Sequence, residues 1–376
     1  MKQVYKGDVL ETNNVKFIHL LGANDVKFFQ RLIRLINNSN NGFDTSQHLF
    51  VTPFERVYNE LKDYGNIELI KSEKKVLTAD IVNDCAQRCE WLFVHHMCKP
   101  LEVLKIKKKN RKKILWRTWG DDAGYLYDNC SIIKVIIKFI INRISRNAYR
   151  DFYAVGIANS VDIIDITKKF GKMKTYRMPY GNENTYDILT QIIKEDAENN
   201  QYKKILIGHS GYQNDNHLDI IDKLTAYKNE NVKFYFLLSY GDENYVAKVK
   251  NYANMCLGEK AVFVENFMPY EEYARFLNSM DVAILAGKNS YALGNIALLL
   301  FFGKKLYINE KGIIAKAFSH AKVPFGRVSD LGKDSFEDIS RTVVYNEAVI
   351  REFAPKPYHI SVDFWKKIIS DLEAKD

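Results

Sequence analysis

Apolar residues arrive along this chain in short bursts separated by amphipathic stretches. VKFIHLL (15–21) is a buried-strand pattern, and Phe28, Phe29, Leu32, Ile33 and Ile36 then recur at helical spacing. HLFVTPF (48–54), IELI (67–70), WLFVHH (91–96), KILWRTWG (113–120) and FYAVGI (152–157) predict further strands with helical patterns between most of them. A polar stretch with Pro179 and Gly181 interrupts the alternation at 174–187 and reads as an interdomain linker. The pattern then restarts with KILIG, VKFYFLLSY (232–240), AVFV (261–264), DVAILA (281–286) and KLYIN (305–309). Strands that alternate with helices predict parallel sheets covered on both faces. The simplest α/β architecture is two Rossmann-like domains facing a cleft: residues 1–178, residues 179–345, and a helical tail over 346–376 that packs back toward the first.

Length agrees with two domains, since 376 residues exceed one ordinary core. Lysine and arginine outnumber aspartate and glutamate by 55 to 46, a formal net charge of +9. Such a balance favours anionic partners such as phosphates or an acidic membrane surface. Nucleic acid is not expected, because no helix-turn-helix, zinc-finger or RNA-recognition pattern appears. The five cysteines are scattered and odd in number, which does not suggest a disulfide framework. The first residues lack a signal-peptide core, and no run is apolar enough to span a bilayer. A cytoplasmic protein, or one held peripherally at the cytoplasmic face of a membrane, is the expectation.

Four features could carry chemistry. KKILIGHSGYQNDNHLDIIDKL (203–224) places Gly208, Ser210 and Gly211 between a strand and a helix, where free N–H groups suit a diphosphate. It is neither a dinucleotide fingerprint nor a P-loop, and a plain turn fits as well. Asn214 or Asp215 would cap the helix. GKNSYALGNIALLLFFGKKLYIN (287–309) offers a second polar loop with Ser290, Gly294 and Asn295 before a buried helix. The predicted strand ends of the first half carry His19 and Asp25, His95 and His96, and Asp121 and Asp122. A general base needs such a place, so Asp122, His95 and Asp25 compete for it. Trp116 and Trp119 are either core residues or a sugar-stacking surface. Cys85, Cys89 and Cys98 with His95 and His96 have poor zinc spacing and read as buried thiols, with no metal expected. Finally, KIKKKNRKK (105–113) precedes SIIKVIIKFIINRISRNAYR (131–150). There Lys134, Lys138, Asn142 and Arg146 form one stripe and isoleucines fill the rest. Such a helix suits either a membrane interface, with Lys134, Lys138 and Arg146 on the headgroups, or a core with a solvated stripe. No Asp-x-Asp or Gly-x-Ser-x-Gly occurs.

Taken in order, FIHLLGAND, FVHHM, WRTWGDDAGY, ILIGHSGYQNDNHLDII, YGDENY, MPYEEYARFLNSMDVAIL and ALGNIALLLFFGKKLYIN resemble the bacterial TDP-N-acetylfucosamine:lipid II N-acetylfucosaminyltransferases, glycosyltransferase family 56, also called 4-alpha-L-fucosyltransferases. The resemblance implies a GT-B fold and an inverting, cofactor-free, metal-independent transfer of a deoxy-amino sugar from a dTDP donor. It implies an undecaprenyl-diphosphate-linked acceptor at the cytoplasmic face of the inner membrane, in enterobacterial common antigen assembly. It places Gly208, Ser210, Gly211, His217, Tyr240, Ser290, Gly294 and Asn295 toward the donor. His19, Gly22, Trp116 and Trp119 fall toward the acceptor. The residues alone leave open another nucleotide-sugar transferase, for capsule or O-antigen, and a sugar-nucleotide 2-epimerase.

Overall fold

The computed structural model describes residues 15–72, 75–120, 122–124, 131–181, 183–195, 201–289 and 292–375. The chain divides into two compact units, Met1–Asn182 with Tyr358–Asp376, and Glu183–Pro357.

In unit 1 the elements run β1 (Phe17–Leu21), α1 (Val26–Asn37), β2 (His48–Thr52), α2 (Glu55–Leu61), β3 (Ile67–Leu69), α3 (Ala79–Gln87) and β4 (Trp91–His95). They continue through α4 (Pro100–Lys105), α5 (Lys108–Arg111), β5 (Ile114–Arg117), α6 (Ile132–Arg150), β6 (Ala154–Ile157), α7 (Ser160–Phe170) and β7 (Thr175–Arg177). Unit 2 holds α8 (Thr185–Glu195), β8 (Lys203–Ile207), α9 (His217–Leu224), β9 (Val232–Leu237), α10 (Glu243–Leu257), β10 (Ala261–Val264), α11 (Tyr270–Asn278) and β11 (Val282–Leu285). It ends with α12 (Leu293–Phe301), β12 (Lys305–Ile308), α13 (Ile313–His320), β13 (Gly326–Arg327), α14 (Phe336–Ser340) and α15 (Glu347–Phe353). The last helix, α16 (Tyr358–Glu373), belongs to unit 1.

Two departures from the sequence reading concern boundaries. The stretch expected to be a linker opens with strand β7, and the units part at 182/183. The tail expected as one piece is divided, α15 to unit 2 and α16 to unit 1.

Both sheets are wholly parallel. The first has order β3-β2-β1-β4-β5-β6-β7 and the second β10-β9-β8-β11-β12-β13. Strand order reverses beside β1 in the first and beside β8 in the second. A ligand crevice forms at the carboxyl ends of the strands at such a point. Alternation along the strands of the first sheet builds a core on each of its faces. In unit 1, Ile18, Leu20, Val51, Leu92, Val94 and Trp116 pack on one face. Phe17, Leu21, Phe50, Phe93 and Leu115 pack on the other, beneath α1 and Trp365 of α16. The Trp365 indole donates to the carbonyl of Pro179 at 2.8 Å, which pins α16 over the sheet.

Candidate active site

The loop after β8 is built around one buried carboxylate. Asp215 accepts from the His209 and Ser210 amides at 3.0 and 2.8 Å, from Ser210 Oγ at 2.9 Å, and pairs with His209 Nδ1 at 2.7 Å. These bonds hold its pKa below the usual carboxylate range despite burial. Asp215 therefore caps its own loop rather than α9, which starts after Asn216 in a left-handed conformation without a side-chain cap. Gly208 has φ +68, and a Cβ there would stand 2.5 Å from the His217 ring packed beneath it. The next loop is stapled alongside: the Gly211 amide donates to Tyr240 O at 2.6 Å, and the Asp242 amide to Gly211 O at 3.2 Å. Gly241 (φ +147) lies so close that a Cβ would sit 2.4 Å from the Gly211 carbonyl carbon.

These loops leave Tyr212 and Tyr240 about half exposed, their rings 6.3 Å apart, with His209 6.5 Å from Tyr240. From the adjoining strand β11, the loop reaches the β8 loop where Gly287 faces Asn214 O. Ala292 precedes α12 at φ 59, and Gly294 faces open space. Gly208, Gly211 and Tyr240 lie on the loops after β8 and β9, and Gly294 and Asn295 in the first turn of α12 after β11, at the carboxyl ends of three adjacent strands of the second sheet. Two expected donor contacts change. The Ser210 hydroxyl is turned onto Asp215 and buried, and His217 is buried under Gly208, its pKa pulled down to about 4 by burial. Neither side chain faces a ligand. Ser290 lies outside the described residues. Sequence reasoning missed His209 and gave Asp215 only as a candidate helix cap, although a His between two glycines with an Asp six residues on was a usable signal.

In unit 1 the expected base Asp122 is a staple. One oxygen accepts from the Met97 amide at 2.8 Å and Trp116 Nε1 at 2.7 Å. The other accepts from Thr118 Oγ1 at 3.0 Å and the Trp119 amide at 2.9 Å. Four donors saturate a carboxylate's lone pairs, so the group ties the β4 and β5 loops together and has no acceptor left for a substrate proton. Trp116 is wholly buried against Tyr149, Phe152 and Phe170 and is core, not a stacking surface. Gly22 is buried, its amide on His95 O at 2.8 Å.

His19 and His95 are also interior. In sheet register His19 is diagonal to both His48 and His95, and the three rings form a chain. His48 Nδ1 is 3.0 Å from His19 Nε2, His19 Nδ1 is 3.2 Å from His95 Nε2, and His95 Nδ1 is 2.9 Å from Tyr180 Oη. The Trp119 indole donates to that same oxygen at 2.9 Å. An indole only donates, so the tyrosine hydroxyl is directed to His95 Nδ1, and each imidazole then passes its Nε2–H to the next ring. Burial keeps the rings neutral. It draws His95 down to about 3, with help from the Arg117 charge, His48 to about 4, and His19 well below its usual value. His95 therefore positions Tyr180 and Trp119 and is itself out of a substrate's reach.

What remains at the β1–β4 crevice is Asp25, Phe28, His96 and Trp119. Asp25 caps α1 through one oxygen, on the Phe28 amide at 2.8 Å. Its other oxygen takes no hydrogen bond among the described residues, and the side chain is half-exposed. Phe28, on the helical pattern of α1, is exposed and packs against Trp119 at 5.4 Å. His96 holds φ 71, a left-handed strain that non-glycine residues keep where the surroundings enforce it, often at functional sites. Cys85, Cys89 and Cys98 are buried thiols, and burial pushes Cys89 up to about 11. Among the described residues no group of three or more His, Cys, Asp and Glu side chains is arranged to ligate a metal.

A family model described as 4-alpha-L-fucosyltransferase, glycosyl transferase group 56, matches residues 14–369. The chain belongs to glycosyltransferase group 56. No curated protein matched this group 56 enzyme. Among solved structures it is similar to Anabaena HepE in complex with UDP and glucose, with a TM-score of 0.59 and 13% identity over 96% of this chain and 100% of that one. A glycosyltransferase from Rickettsia africae (0.58, 12%) and a sucrose-phosphate synthase from Thermosynechococcus elongatus (0.58, 11%) match over the same shares. These likenesses give the group 56 glycosyltransferase a GT-B type fold, with a parallel sheet in each unit.

Proposed function

We propose that this glycosyltransferase moves a deoxy-amino sugar of the N-acetylfucosamine type from a dTDP-sugar to an undecaprenyl-diphosphate-linked saccharide. The transfer inverts the anomeric centre and takes place at the cytoplasmic face of the inner membrane. The observation that carries the reading is the Asp215-organised loop at the switch point of the second sheet. Its glycines and the His209 ring, anchored on Asp215, lie beside the Tyr212–Tyr240 pair, with the start of α9 next in the chain. Such a loop suits a diphosphate, and half-exposed tyrosines suit a base or sugar ring. UDP in the HepE complex supports a nucleotide-sugar donor, and the group 56 match supports a fucose-type sugar.

The chemistry is one displacement. An acceptor hydroxyl oxygen attacks the anomeric carbon, and the bond from that carbon to the diphosphate oxygen breaks. Asp25, the carboxylate with an oxygen to spare at the first switch point, takes the hydroxyl proton. The β8 and β11 loops stabilise charge on the departing dTDP. Phe28 and Trp119 give the acceptor sugar an aromatic surface. Calorimetric titration with dTDP, UDP, GDP and CMP, followed by NMR of the product's anomeric configuration, tests this. The expected result is tightest binding of dTDP and an inverted product. Binding of none of the four, or a retained configuration, overturns it.

A further inference from the structure

Helix α6 is built inside out for a helix in water. At 100° per residue, Val135, Lys138, Asn142, Ser145 and Tyr149 share one side, and this side is turned toward the body of unit 1. Ser145 and Tyr149 are buried, Val135, Lys138 and Asn142 are half-buried, and a Cβ on Gly124 would stand 3.1 Å from Asn142 Oδ1. The opposite arc carries Ile132, Ile133, Ile136, Ile137, Phe139 and Ile140, each between 48% and 79% exposed. The stripe assigned from sequence to headgroup contact is therefore not the outer face. Lys138 and Arg146 are half-buried on the inner side, and Lys134 is exposed at its edge. Apolar side chains that project from two successive helical turns, with polar ones beneath, mark a surface that meets something other than water.

Charge identifies what it meets. Along the same outer arc the isoleucines give way to exposed Arg143 and Arg150. Helices α4 and α5 pack on α6, and Arg111 ties α5 to Asp151 at the end of α6 at 3.2 Å. That neighbourhood presents exposed Lys105, Lys107, Lys108, Lys109 and Lys112. An apolar wedge rimmed by cations has the chemistry of an interfacial helix on an anionic bilayer. Among the described residues no helix is long and apolar enough to cross a membrane, so α6 would lie in the interface.

We propose that the Ile132–Ile140 arc of α6 is the membrane-docking face of this enzyme, entering the acyl boundary of an anionic bilayer while the lysines of 105–112 and Arg143 meet phosphate headgroups. The inference rests on the reading of a lipid-linked acceptor and names the surface that brings unit 1 to it.

The test pairs Ile136→Ser with Ile140→Ser in one variant of the full chain; both side chains are exposed, so folding does not need them. Flotation is measured with phosphatidylethanolamine–phosphatidylglycerol vesicles and with phosphatidylcholine vesicles. Wild type should float with the anionic vesicles, less in high salt, and the variant should lose at least about tenfold in partitioning. Calorimetric dTDP affinity should be equal in both proteins. Transfer to a polyprenyl acceptor in vesicles should fall with flotation, and transfer to a short-chain soluble acceptor should not. Equal flotation of the two proteins overturns the docking face and leaves the transferase reading intact. Absent dTDP binding overturns that reading and leaves the flotation result standing. Self-association of wild type that the variant abolishes, without flotation, also overturns the proposal, because the arc would then seat a second copy.

Discussion

Acidifying the protein from pH 7 to pH 5 should unfold unit 1 well before unit 2. His19, His48 and His95 are buried and linked ring to ring, and burial pulls all three below the ordinary value of 6.5, His48 to about 4 and His95 to about 3. In this window the folded chain keeps them neutral while an unfolded chain protonates each near 6.5. The unfolded state then binds more protons, so stability is full above 6.5 and is lost as pH falls toward the folded values. Each histidine costs about 2 kcal/mol between pH 7 and pH 5, or about 6 kcal/mol for three, a large part of a domain's stability. Asp162, whose carboxyl is pushed up by burial, acts in the opposite direction and trims the total. Unit 2 carries one comparable ring, His217, and should lose about 2 kcal/mol.

The assay is provided by the chain. All four tryptophans, Trp91, Trp116, Trp119 and Trp365, belong to unit 1, so indole fluorescence in a urea titration reports that unit alone. The slope of its unfolding free energy near pH 5 should be about 4 kcal/mol per pH unit, the uptake of about three protons. His48→Leu should remove about one of them. A wild-type slope of about one proton or less would refute the account of a neutral histidine chain.

Asp215→Ala should orphan four donors at the β8 loop, two of them backbone amides. We expect donor affinity to fall about tenfold or more by calorimetry, with the tryptophan-detected unfolding of unit 1 unchanged. Asp25→Asn should lower turnover about 10²- to 10⁴-fold with dTDP affinity kept, since only proton removal is lost. Asp122→Asn should act the other way: an amide pointed at four donors should destabilise unit 1 by roughly 2–4 kcal/mol in the urea titration, and activity should fall only as far as the fold does.

The strands were legible because buried parallel strands are near-continuous apolar runs, and β1, β4 and β11 are such runs. Strand β7 was not, because three residues with polar ends look like linker. The glycines of the β8 loop could be read locally. Asp122 misled because its partners, Met97 and Trp116 among them, are gathered from two strands, and a carboxylate at a strand end looks the same whether free or saturated. The histidine chain depends on β1 lying between β2 and β4, an order that periodicity does not carry. In α6 the two faces were visible as patterns, but which face is turned inward is set by what α4 and the Gly124 loop offer it.

The return of α16 to unit 1 has a consequence for how the chain is made. Until Trp365 leaves the ribosome, the sheet face carrying Phe17, His19, Phe50, Phe93 and His95 lacks one of its covering helices. Unit 2 is synthesised in full during that wait, so the first unit begun is the last to close. A nascent chain of this enzyme therefore carries an open aromatic layer for roughly half of its elongation, a span in which a trigger-type chaperone would find its binding surface and a stalled ribosome would yield an aggregating product.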